Sequence, residues 1–242
     1  MHIAGKSKYS KNLKLPVFFA VLAACFLLNL PSGNAQTAPE FIISWRAVNF
    51  VPSDYTGKIL PSSGSRIEVS FDLMDKGKIA NLSGNEISWF VNNEVVAQKN
   101  GLKSINFNTS GNNSQSVRVA VSGYNDSELE KTISIPLADP KIIIDTRGPA
   151  KYALNRTELP LKKHIFEIRP FFFNVRDLSD LNMKWRLNGE LAKTDPNNPE
   201  FLVLDLKSEG APKQTELDVS ASASSKLNIL ELASKTINYL VR

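Results

Sequence analysis

The sequence predicts an all-β protein of two tandem β-sandwiches behind an N-terminal export segment. Three observations carry this. After residue 40 the chain is written in short runs rich in Val, Ile and Phe, punctuated by Gly, Asn, Ser and Pro clusters. The phrase Glu86–Val96, EISWFVNNEVV, returns as Asn182–Ala192, NMKWRLNGELA. The first 35 residues differ in composition from all that follows.

The leader comes first in the chain. Lys6, Lys8, Lys11 and Lys14 precede an apolar run from Leu15 to Leu30, and Gly33 and Ala35 occupy small-residue positions before Gln36. A basic start, an apolar core and a small-x-small site are the parts of a secretory signal peptide, so residues 1–35 are expected to be removed after Ala35. Leu22-Ala23-Ala24-Cys25 offers a second outcome, lipidation of Cys25, and retention of the apolar run as a membrane anchor is a third. The run is shorter than the roughly 20 residues that a spanning helix wants.

The strands follow in order. Ile42–Val48 is the first. In Arg66–Leu73, Ile67, Val69, Phe71 and Leu73 share one face, and Ser116–Val121 alternates in the same way. Lys131–Leu137 closes the first unit. Ile142-Ile143-Ile144 opens the second, and in Pro170–Val175 alternation puts Phe171, Phe173 and Val175 on one face and Phe172 on the other. Lys226–Leu240 begins like a helical turn and ends, from Thr236, as strand.

The repeated phrase reads as strand, tight turn and return strand. Ile87, Trp89 and Val91 correspond to Met183, Trp185 and Leu187, and Asn188-Gly189 is a strong two-residue hairpin signal of which Asn92-Asn93 is a weaker version. The match extends to Ile105–Phe107 with Leu202–Leu206, Ser116–Val119 with Glu216–Val219, and Lys131–Ile133 with Lys235–Ile237. A shared strand order with drift only in the loops predicts a duplicated unit, with domains at 40–138 and 139–242 and a short joint at Leu137–Pro140 that holds them end to end. About seven strands per unit, with a Trp on the third, predict an Ig-like sandwich in which that Trp fills the space between sheets.

On Ile87–Asn92 and Met183–Gly189 the chain resembles the PKD and bacterial Ig-like modules of secreted proteins, and its arrangement is similar to two-module exported proteins of small-genome bacteria. It departs from the PKD pattern where Asn-Asn-Glu and Asn-Gly-Glu replace the usual Gly-Asp-Gly. The resemblance implies a fold and a surface location, not an activity.

Charge and composition narrow the function. The chain has 29 basic against 24 acidic residues; four of the lysines lie in the leader, so the rest carries 25 against 24. Nucleic-acid binding is not expected on that balance. Cys25 is the only cysteine, so the exported part has no disulfide, and with His164 as its only histidine a Cys/His zinc site is excluded. No cofactor or metal is expected, and the Asp177–Asp180 and Asp195–Asn198 clusters read as turns. Five Asn-x-Ser/Thr sequons, at Asn81, Asn108, Asn112, Asn125 and Asn155, fit an Asn- and Ser-rich chain.

Three residues stand out as candidates for binding. Trp45 on the first strand and Tyr55 in the long Val51–Gly64 connection suit an aromatic ligand platform, set against a crossover packed on its own sandwich. Phe172 suits a contact with the neighbouring module or a partner. The leading reading is a non-enzymatic, secreted or envelope-located binding, adhesion or spacer protein whose partner is an envelope protein or polysaccharide. It would meet the membrane only through its N-terminal segment. The alternatives are a glycan-active enzyme or carbohydrate-binding accessory protein, and an envelope-assembly chaperone offering a sheet edge.

Overall fold

The computed structural model describes residues 38–111, 113–147, 158–206 and 215–241. The leader with Cys25 and Ala35, and the sequons at Asn112 and Asn155, lie outside these residues. Among the described residues no helix is long and apolar enough to cross a membrane.

The first sandwich is built from β1 (Glu40–Ala47), β2 (Arg66–Asp75), β3 (Lys78–Ile79), β4 (Glu86–Val91), β5 (Glu94–Asn100), β6 (Ser104–Asn108), β7 (Ser114–Tyr124) and β8 (Ser127–Pro136). One sheet carries β1 and β6 on either side of β2, with β3 extending its β6 side; the other runs β5-β4-β7-β8. The second contains β9 (Lys141–Arg147), β10 (Glu158–Leu159), β11 (Lys163–Phe171), β12 (Leu181–Leu187), β13 (Glu190–Leu191), β14 (Phe201–Asp205), β15 (Thr215–Ser225) and β16 (Leu232–Val241). Its sheets are β14-β11-β9 and β10-β16-β15-β12-β13. All pairings are antiparallel except that of β10 with β16. Two four-strand layers in the first unit, and a three-strand layer against a five-strand layer in the second, are Ig-like sandwiches.

Alternation builds the cores. In β2, Ile67, Val69, Phe71 and Leu73 all point inward and are buried. They meet Ile87, Trp89, Val119 and Ile135 of the opposing sheet. In the second core Phe166 and Ile168 of β11 meet Met183, Trp185, Val219 and Ala221. Each indole also spends its N–H on a backbone carbonyl, Trp89 on Leu102 at 2.9 Å and Trp185 on Pro199 at 3.2 Å. A buried Trp donor needs such a partner.

The duplication reaches individual hydrogen bonds. Asn92 accepts from the Ser116 N–H at 3.0 Å through Oδ1 and donates its own N–H to Ser116 O at 2.9 Å. Asn188 does the same with Asp218, at 2.9 and 3.0 Å. This corrects one sequence correspondence. Ser116 matches Asp218 and Val119 matches Ala221, because Trp89 pairs with Val119 and Trp185 with Ala221. The correspondence expected from the sequence is offset by two residues; a shift of two leaves the same side chains facing inward, so alternation alone cannot detect it.

Four hairpins close with two-residue turns whose central residues both have positive φ: Lys76-Gly77, Asn92-Asn93, Asn125-Asp126 and Asn188-Gly189. That is the turn geometry whose twist suits paired strands. Two further expectations are corrected. The alternation of Pro170–Val175 does not continue, because β11 ends at Phe171 and Phe172 sits at φ 64°. Phe171 therefore lies on the outward face of β11, while Phe173 and Val175 enter the second core. Lys226–Glu231 forms turns between β15 and β16, not a helix, and strand begins at Leu232.

The joint between the sandwiches is more than Leu137–Pro140. The connection from Val48 to Ser65 docks on the second sandwich. Phe50 packs against the second core and exchanges backbone hydrogen bonds of 2.7 Å with Phe172 and Phe173. Asn49 Nδ2 donates to Phe172 O at 2.9 Å and to Ser62 Oγ at 3.0 Å. Ser62 Oγ donates to Glu231 Oε1 at 2.8 Å, and the same oxygen accepts the Asn174 N–H at 2.7 Å.

Candidate functional site

The residues singled out from sequence fall at different places. Trp45 belongs to β1, is half-buried, and packs against the first core. Lys58 covers its ring, with Nζ 4.1 Å from the centroid, and donates to its carbonyl. Tyr55 faces the second sandwich, edge-on to Phe171 at 5.7 Å and Phe172 at 5.9 Å. The structure does not bring Trp45 and Tyr55 into one platform. Phe172 is buried in the joint, beneath Tyr55 and with Lys141 Nζ 5.2 Å from its ring centre. His164 is also buried, and its Nε2 donates to Pro160 O at 2.8 Å.

What sequence reasoning missed is the outer face of the β9–β11–β14 sheet. Cross-strand register sets its side chains in rows. Arg147, Ile165 and Val203 form one row, and Asp145, Glu167 and Phe201 the next. Arg169 and Phe171 follow along β11. Two adjoining clefts open over this face and share Arg147. The first, of about 370 Å³, lies over Ile165, Phe201 and Val203 and is edged by Lys193, Asp195 and Asn198. The second, of about 500 Å³, runs over Asp145, Glu167 and Arg169 to Pro52, Ser53 and Asp54 of the connection.

The charges on this face hold one another. Arg147 grips Glu167 with two hydrogen bonds, 2.8 Å from Nε and 3.1 Å from Nη2, and its guanidinium lies 4.5 Å over the Phe201 ring. This bond to Glu167 raises the Arg147 pKa. Arg169 pairs with Asp54 across the joint and with Asp145 at 3.7 Å. Asp145 and Glu167 are direct register partners, and two neighbouring carboxylates are the parts a glycosidase needs. Here each faces a guanidinium. Among the described residues no group of three or more His, Cys, Asp or Glu side chains is arranged to hold a metal ion.

The cleft rim is preorganised. Asp195 accepts the Asn197 N–H at 2.9 Å and the Asn198 side-chain amide at 2.9 Å. These bonds, the backbone one first, lower its pKa. The sequence signal that was available is Arg147, Ile165 and Phe201 at outward positions of their strands. It becomes legible only once β9, β11 and β14 are known to be neighbours.

No model of a known protein family matches the chain, and no curated protein matches it. Solved structures do. The fibronectin(III)-like modules of Clostridium thermocellum CbhA are 10% identical, with 83% of this chain and 94% of that chain covered and a TM-score of 0.29. The three N-terminal domains of the bacteriophage RB49 Highly Immunogenic Outer Capsid protein are 15% identical, covering 84% and 70%, with a TM-score of 0.32. Murine CEACAM1b is 12% identical, covering 83% and 100%, with a TM-score of 0.27. At these scores the likeness carries no argument about what this chain does.

Proposed function

We propose that the chain is a non-enzymatic, exported binding and spacer protein of the cell envelope or surface. Its two Ig-like modules act as one body, and the clefts on the β9–β11–β14 face receive an envelope protein or polysaccharide. The observation that carries this reading is the first cleft: an apolar floor of Ile165, Phe201 and Val203 beside the polar groups of Asp195, Asn198 and Lys193. Sites that bind ligands pair an apolar floor with a few fixed polar groups. The pairing of Glu167 with Arg147 and of Asp145 with Arg169 favours binding over hydrolysis, since each carboxylate in the second cleft is held by a guanidinium. The leader supports export.

The test is capture from the protein's own cell-envelope fraction. The parent chain should retain a specific protein or polymer. Phe201→Ser and Lys193→Glu should each lose it while melting as the parent does. Capture that survives both substitutions removes the cleft from the proposal, and absence of any capture leaves only the spacer role.

A further inference from the structure

The loop between β15 and β16 exposes its apolar side chains more fully than any other part of the described chain. Leu227, Ile229 and Leu230 are 75%, 84% and 90% exposed, and Leu232 at the start of β16 is 59% exposed. Soluble loops are ordinarily polar, and a cluster of bare aliphatics marks a contact surface. The loop is firmly built. Ser225 Oγ accepts the N–H groups of Leu227 and Asn228 at 3.1 and 3.2 Å, and Asn228 Oδ1 accepts that of Leu230 at 3.2 Å. Glu231 N–H donates to Asn228 O, and Lys226 N–H donates to Asp180 O. Lys226 turns its ammonium back to Ser179 O at 2.7 Å, so no charge stands on the tip between Leu227 and Leu230.

We infer that this tip inserts into the surface of a lipid bilayer. A segment entering lipid must satisfy its backbone donors internally, because the bilayer supplies no replacement for water. Four of the five N–H groups from Leu227 to Glu231 meet that demand, and a shallow insertion leaves that of Ile229 to the hydrated headgroup layer. A partner adding a strand would instead need free backbone groups. Retention of the leader, the third outcome given for it above, would also tie the chain to a membrane. The Leu15–Leu30 run, behind four lysines, ends nine residues before β1, and nine residues reach at most about 30 Å. The eight residues of β1 add about 26 Å. They lead to Asn49 and the joint, where the loop is anchored through Glu231. With the N-terminal run held in a bilayer, the tip is within tethered reach of the same surface, so a shallow contact by a few aliphatics suffices.

The experiment uses the full chain in phosphatidylcholine vesicles. Leu230→Cys carries an environment-sensitive fluorophore in a Cys25→Ser background, and Val95→Cys, exposed on β5, serves as the control. Ile229→Cys guards against a peculiarity of one position. Labels at 229 and 230 should shift to the blue and be quenched by a spin-labelled phosphatidylcholine several times more strongly than the label at 95. Equal quenching at all three sites, with water-like emission at 230, overturns the inference. So does lipid-independent self-quenching between labelled copies, which would assign the tip to a second copy of the chain.

Discussion

Trp89 and Trp185 each do two things at once: they fill the space between sheets and hold a loop carbonyl through the indole N–H. Trp89→Ala should cost about 3–5 kcal/mol, a large share of the roughly 5–15 kcal/mol available to a domain. Thermal melting checks this, and an unchanged curve would remove the indole from the core. Tyr239 gives a pH-dependent counterpart. Burial raises its pKa, so the fold favours the neutral phenol. Its contribution is complete below the unfolded value of about 10 and is lost as pH rises past it. Tyr239→Phe should therefore lose less melting temperature than the parent between neutral and about pH 11. Equal losses would mean that another group governs the alkaline limb.

The element that organises each sandwich is the hairpin after the Trp strand. Its first turn residue is held at positive φ and also bonds to the strand beside it, Asn92 to Ser116 and Asn188 to Asp218. Losing the side chain removes a backbone partner and leaves a residue ill-suited to that conformation, so Asn92→Ala should destabilise by about 1–2 kcal/mol. Asn93, at φ 70°, gains from the opposite change. Asn93→Gly should be neutral or stabilising by up to about 1 kcal/mol, since glycine takes a left-handed turn without steric cost. Denaturant titrations read both. A stabilising Asn92→Ala would contradict the role of its hydrogen bonds.

At the scale of the molecule, the Val48–Ser65 connection welds two cores that would otherwise share only the short Leu137–Pro140 joint. Ion pairs on the exposed side of the weld, such as Arg169–Asp54, contribute little each. The buried network around Glu231 contributes more. It joins Ser62 of the first sandwich to Asn174 of the second, while Glu231 Oε2 and Asn49 Oδ1 are buried without a protein hydrogen-bond partner. Glu231→Ala should cost about 1–3 kcal/mol by orphaning the donors it now satisfies. In calorimetry it should split one melting transition into two as the sandwiches uncouple. Glu231→Gln keeps an acceptor oxygen and should keep a single transition. A single, unshifted transition in Glu231→Ala would mean that the network does not couple the sandwiches.

Local rules sufficed for much of this. Alternation in Arg66–Leu73 announces a buried face, and Asn188-Gly189 announces its turn, because both depend on residues adjacent in the chain. The same rules failed where tertiary contacts overrode them. Phe172 adopts a left-handed conformation because the joint holds its N–H and carbonyl from the other sandwich, which ends the alternation of Pro170–Val175. The clefts join Arg147, Phe201 and Asp54, residues from three distant segments, and no spacing in the chain records that they meet. The sequence by itself determined two β layers around an indole, twice over, since burial periodicity and turn chemistry are local. Only the tertiary structure decided that the two units are welded, which face carries the clefts, and that Leu227, Ile229 and Leu230 stand in solvent. Those outcomes depend on which strands and loops come together across the fold.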